Sequence, residues 1–216
     1  MELEENKIIS KTFLWMFIGL AITFGVGYYV SGNENMLYNL FSGYKWLMLV
    51  IVEFGIVIAL SAFISKLSPI VAKTLFCIYA FITGLTFSTI FVVYQISSII
   101  YVFGITSIVF LIFALLGYFT NINLSKLGTY LFMALIAVII ASIINMFIGS
   151  SSLEFAITII ALLVFVGYVA YDINMLKNSN VYDKNENLPI YWALQLYLDF
   201  INLFIRLLRL LGKQKN

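Results

Sequence analysis

Seven stretches of this chain are each long and apolar enough to cross a lipid bilayer, and no other feature limits its fold so tightly. A spanning helix needs roughly 20 mostly apolar residues, because about 30 Å of hydrocarbon must be crossed at about 1.5 Å per residue. That ruler predicts spans near 13–30, 44–64, 71–94, 99–119, 127–148, 154–176 and 190–211. Polar breaks separate them: Ser31-Gly-Asn-Glu-Asn, Lys66-Leu-Ser-Pro, Gln95-Ile-Ser-Ser, Thr120-Asn-Ile-Asn, Gly149-Ser-Ser-Ser and the stretch from Asn178 to Asn187. The runs are continuous, where a membrane barrel would show ten-residue segments of alternating polarity. The fold expected is an all-α integral membrane protein, a seven-transmembrane-helix bundle. The connections are short and no repeat or low-complexity tail interrupts them, so residues 1–216 read as a single transmembrane domain.

Composition agrees. Hydrophobic residues make up 63% of the chain and charged residues 10%, against roughly 45–50% and about 25% in soluble domains. That leaves too few polar residues to cover a solvated globule. A net charge of +2 offers no strong field for nucleic acid. Cys77 stands alone, which excludes an intramolecular disulfide, and it is expected to be a small buried hydrophobe. Histidine is absent, which removes His-ligated metals, Ser–His chemistry and the usual side chain for sensing pH. The first residues, Met1-Glu-Leu-Glu-Glu-Asn-Lys, are acidic, and no small-residue cleavage site follows the first apolar run, so the first helix is expected to stay as an anchor.

Orientation follows from the basic residues. With the N-terminus in the cytoplasm, that side holds Lys7, Lys11, Lys66, Lys73, Lys126, Lys177 and Lys184, and the opposite loops hold only Lys45. The C-terminal cations Arg206, Arg209, Lys213 and Lys215 oppose this rule if the seventh segment spans, and satisfy it if that segment re-enters and returns. Its length favours spanning.

Three acids stand inside spans: Glu53 in the second, Asp172 near the end of the sixth and Asp199 in the seventh. Each costs about 2.5–3.5 kcal/mol at a helix centre on insertion scales, so each calls for a function or a structural partner. In the seventh span Gln195, Asp199, Asn202, Arg206 and Arg209 are spaced four, three, four and three residues apart. That spacing draws one polar stripe on a helix, which must face protein or water and not lipid. A central last helix lining a polar path fits it, and a hydrogen-bonded packing seam is the plainer alternative. Arg206 and Arg209 read as anchors at the outer interface or as partners of other segments.

Depth pairs two of the acids. Counting from Trp192, an interface-favouring residue, Asp199 lies roughly 10 Å into the membrane. Counting back from Lys177, which can snorkel to the same surface, Asp172 lies roughly 7–8 Å deep. Two carboxylates about 5 Å apart repel by about 3.3 kcal/mol at an effective dielectric of about 20, enough to keep one shared proton until pH approaches neutrality.

At these residues the chain resembles a known family. Ala193-Leu-Gln-Leu-Tyr-Leu-Asp-Phe-Ile-Asn-Leu-Phe-Ile-Arg-Leu-Leu-Arg-Leu-Leu-Gly looks like the C-terminal signature of the Bax inhibitor-1 (transmembrane Bax inhibitor motif) family. Tyr171-Asp172, Asn145-Met-Phe, Gly84 and Glu53 are similar to it as well, and the short loops resemble bacterial members. The resemblance implies seven helices wrapped around the last one, and a pH-sensitive calcium leak in the cell membrane. It implies Asp172 and Asp199 as the sensor pair, Glu53 as the pathway acid, and Asn202 beside the ion path. Members carry an arginine latch at the inner end of the second helix; Lys66 stands in that neighbourhood here, a point charge and not a bidentate fork.

The expected partners are therefore the bilayer, calcium ions and protons, with no nucleic acid and no cofactor. Transient calcium would touch Glu53, Asp172 and Asp199, since three acids are too few for a tight site. Oligomeric state is left open, a monomer being compatible. A proton-coupled transporter remains an alternative, although no inverted repeat supports it. An intramembrane aspartyl protease would also use two facing aspartates, but Leu196-Tyr-Leu-Asp stands where such enzymes carry Gly-x-Gly-Asp, and no Pro-Ala-Leu follows. The chain is not expected to be an enzyme.

Overall fold

The computed structural model describes residues 2–179 and 186–215, with the side chains of residues 2–5 and of Ser65 left aside. Its helices are α1 (Glu2–Ser31), α2 (Glu34–Phe41), α3 (Lys45–Phe63), α4 (Pro69–Val93), α5 (Ile96–Phe119), α6 (Ser125–Ile148), α7 (Ser151–Asn178) and α8 (Leu188–Leu211). All but α2 are long and apolar enough to span, and the described residues contain no strand. The seven spans are those the apolar runs predict, six of them within a few residues; α1 begins well before the expected residue 13, at Glu2. Helix α2 falls in the break expected to be loop. Asn33 starts it, its side chain accepting from the Met36 amide at 3.1 Å, and at eight residues it is too short for a ruler of about 20.

Local chemistry sets the other boundaries. Ser68 and Pro69 open α4, Ser68 Oγ accepting from the Val71 amide at 3.4 Å. Gly149 closes α6 in the left-handed region at φ 69°, and Ser150 caps α7 by accepting from Leu153 N at 3.3 Å.

Spatial neighbourhood divides the chain into two units. The first holds α1 to α4, the first half of α8 and the C-terminal tail. Its frame is α1 lying parallel to α4. Trp15 meets Phe76, Phe24 meets Phe87 and Tyr28 meets Phe91, with ring centroids 6.3, 5.6 and 5.8 Å apart. Gly84 permits this approach, since a Cβ there would stand 2.7 Å from Val26 Cβ. Thr23 fastens the two helices, its hydroxyl donating to the Ala80 carbonyl at 2.9 Å.

The same unit answers whether the last helix crosses or re-enters. Just before α8, the Asn187 amide donates to the carbonyls of Ile64 and Leu67, both at 2.7 Å, beside the start of α4. Just after α8, Gln95 N donates to Lys213 O at 3.0 Å and Lys215 N donates to Val93 O at 2.8 Å, beside the end of α4. The Lys215 ammonium also closes that end, donating to Phe91 O at 2.7 Å. The two flanks of α8 therefore lie at opposite ends of α4, as a spanning helix requires and a re-entrant one does not. Helix α8 is also the most enclosed span, 61% buried against 6% for α3. Trp192 is packed against the protein, 8% exposed, with no hydrogen-bond partner on its indole N–H. Cys77 is half-buried, not fully buried as expected, because it lies at the margin of the α4 core face.

The second unit comprises Ser97–Ser179 and Leu198–Gly212: α5, α6, α7 and the rest of α8. Helices α5 and α7 touch at Gly117, where a Cβ would fall on the Ala170 carbonyl. Buried Asn174 bridges the connection after α5, donating to Gly117 O and accepting from Leu124 N, both at 3.2 Å. Lys177 does not snorkel to the surface; its ammonium donates to Tyr118 O at 2.8 Å and so caps α5. Phe200 of α8 packs against Phe103 and Phe110, and Arg209 pairs with Glu154 at 3.2 Å. That last contact sets α8 antiparallel to α7. Lys184 lies outside the described residues.

Candidate functional site

Asp172 and Asp199 come together in the second unit. The antiparallel run of α7 and α8 makes their carboxyl groups close electrostatic neighbours. They are 5% and 4% exposed, so water does not supply the missing partners. Two ionised carboxylates have only acceptors, and a bond between them needs one proton. Asp199 Oδ2 is buried without a hydrogen-bond partner. Tyr168 and Tyr171 are neighbours of the pair on α7.

Glu53 belongs to the first unit and is built differently. It projects from α3, and α4 meets it with two threonines one turn apart. Thr83 Oγ1 donates to Oε1 at 2.8 Å, and Thr86 Oγ1 stands 3.5 Å from Oε2. These hydroxyl partners escape a reading by charge, since a threonine in an apolar run scarcely disturbs hydropathy.

The polar stripe on α8 changes character along its length. Gln195 and Asn202 are half-buried, and Asn202 turns its amide back on its own helix, donating to Leu198 O at 2.8 Å. Arg206 is half-buried with its Nε unpartnered, and Arg209 is exposed in its pair with Glu154. Lys66 is exposed at the end of α3, its ammonium 5.8 Å above the Phe63 ring. Among the described residues, no group of three acid, cysteine or histidine side chains converges as a metal cage.

Known proteins place this architecture. Residues 5–216 match the family described as "Inhibitor of apoptosis-promoting Bax1". Among similar proteins, an uncharacterized protein of Borreliella burgdorferi is 40% identical over 98% of this chain and 94% of its own length. The inner membrane protein YbhL of Escherichia coli K12 is 42% identical over 96% of this chain and 92% of its own. A further uncharacterized protein, from Deinococcus radiodurans, is 35% identical over 95% and 90%. With seven spanning helices and a match over nearly its whole length, this chain belongs to the Bax inhibitor-1 family.

Proposed function

We propose that this protein is a passive calcium-permeable leak of the bacterial plasma membrane, controlled by the proton shared between Asp172 and Asp199. The observation that carries the reading is two buried carboxyl groups set as close neighbours, between which a hydrogen bond requires one proton. Calcium is the substrate in this proposal and not a resident ion. Glu53 supplies a hard oxygen ligand in the path, and weak, passing ligation is what conduction requires. The family resemblance supplies the sign of gating. An aspartate that has lost the shared proton is the partner a basic latch needs, so mild acid releases the latch and raises flux. Lys66 is the base proposed for that role. That its relative YbhL is an inner membrane protein supports the location, and the lysine bias supports a cytoplasmic N-terminus.

The test is flux into liposomes that hold only this protein, with calcium, sodium and potassium compared between about pH 5 and 8, the range set by titration of a close pair. Calcium entry above that of empty vesicles, rising toward acid, is expected. Entry equal to that of empty vesicles at every pH would overturn the proposal. Orientation is tested separately in cells: cysteines introduced at positions 66 and 126 should resist an impermeant thiol reagent added outside, and labelling of both would reverse the assignment.

A further inference from the structure

The polar cluster around Glu53 extends past the acid itself. Thr83 is 3% exposed and sits within a span, so no water replaces its hydroxyl. Thr86 is a weaker partner for Glu53 than its position suggests. Its hydroxyl has one proton, and the Thr83 carbonyl lies 2.8 Å away while Glu53 Oε2 lies 3.5 Å away. The proton goes to the backbone. Thr83 is therefore the donor that holds the carboxylate, through Oε1 alone. The other oxygen, Oε2, keeps only a long contact and is the one left for a cation.

Two phenol hydroxyls stand near Thr83: Tyr79, one turn earlier on α4, and Tyr197 on α8. Tyr197 is already committed. Its oxygen lies 2.6 Å from Thr23 Oγ1, and Thr23 gives its own proton to Ala80 O at 2.9 Å, so Tyr197 must be the donor to Thr23. With that proton spent, Tyr79 is the phenol left to back Thr83, whose own proton goes to Glu53 Oε1.

Resting on the reading of Glu53 as the pathway acid, we infer that Thr83, backed by Tyr79, is a positioning residue that aims one oxygen of Glu53 at the passing cation and so favours calcium over monovalent ions. A carboxylate free to turn offers both oxygens to any small cation. One pinned by a neutral hydroxyl offers a single directed ligand, and Thr83 itself adds no charge.

The test uses the full-length protein in liposomes, with T83V, T83S, T86V and Y79F beside the parent. Removing a hydrogen bond to a charged group costs enough to change a rate roughly tenfold. T83V should lower calcium flux by about that factor and lower the calcium-to-sodium ratio, T83S should restore both, and T86V should change flux by less than about twofold. A second readout does not depend on transport. The infrared spectrum of the parent minus that of E53Q isolates the Glu53 carboxyl band, which T83V should shift and T83S should retain. A Glu53 band left in place by T83V, or parental flux and selectivity in T83V, would overturn the inference. If T83V fails to fold, Y79F decides by the same two readouts, with a smaller shift in the same direction expected and an unmoved band overturning the inference. A parent that passes no calcium sinks the leak reading alone, and the infrared arm still decides whether Thr83 holds Glu53.

Discussion

Glu53 and the Asp172–Asp199 pair are all acids inside spans, yet their neighbours treat them in opposite ways. Glu53 is met by the hydroxyl of Thr83, which donates whether or not calcium or a proton is near. The aspartates neighbour each other in an enclosed site where Asp199 Oδ2 finds no hydrogen-bond partner. Removing a proton leaves the first arrangement standing and abolishes the second, because two carboxylates without a proton have nothing to donate. On the proposed function the difference separates two tasks for one kind of side chain: a held ligand in one unit, and a titrating contact in the other.

The largest effect should come from breaking the titrating contact. D172N or D199N leaves an amide that can donate to the remaining carboxylate, so the geometry of the protonated pair is kept while its titration is lost. Calcium flux in liposomes should then become flat between about pH 5 and 8, near the acid level of the parent. An unchanged pH profile in both variants would remove the sensor assignment and with it the distinction between the two sites.

The converse change sharpens the comparison from the other side. E53Q keeps the hydrogen bond from Thr83 and deletes the charge, so it should lower calcium flux about tenfold at every pH, with the profile's shape retained. A changed shape with an unchanged maximum would mean that Glu53 is itself part of the sensor. Next in size comes Lys66. As an exposed point charge it can bias the gate only modestly, and K66Q should raise flux near neutral pH by about twofold. A profile identical to that of the parent would show that the latch lies elsewhere.

The sequence reveals these two sites unequally, for physical reasons. Seven apolar runs of about 20 residues admit little besides spanning helices, so six of the seven spans were readable to within a few residues. The meeting of Asp172 and Asp199 was readable because two antiparallel helices with a short connection put residues of similar depth side by side. One depth marker was poorer than the result: Lys177 caps α5. The partners of Glu53 were hidden. A threonine hydroxyl is worth little in hydropathy, and joining Glu53 to Thr83 requires the packing register of α3 on α4, which no spacing within one helix contains. Helix α2 escaped for a third reason: short helices announce themselves by caps, and Asn33 was read as part of a turn.

The smallest effect should come from the ion pair at the far end of α8. Arg209 and Glu154 meet at 3.2 Å with side chains 46% and 57% exposed, and such a pair contributes about 0.2–1 kcal/mol. For a chain of this size that corresponds to at most about 4 °C in the thermal midpoint. R209Q should therefore lower the midpoint in detergent by a few degrees or less and leave the calcium flux profile as it is. The charge-swapped double variant, R209E with E154R, should recover the loss. Arg206 stands one turn nearer the aspartates, half-buried, and its Nε lacks a partner. Its aliphatic stem is held in the packing, so R206L should cost folding yield more than it alters the preference for calcium over anions. If R209Q instead moves the pH profile while R206L does not, the outer end of α8 is coupled to the titrating pair. Sensing would then extend along the whole stripe and not rest in Asp172 and Asp199 alone.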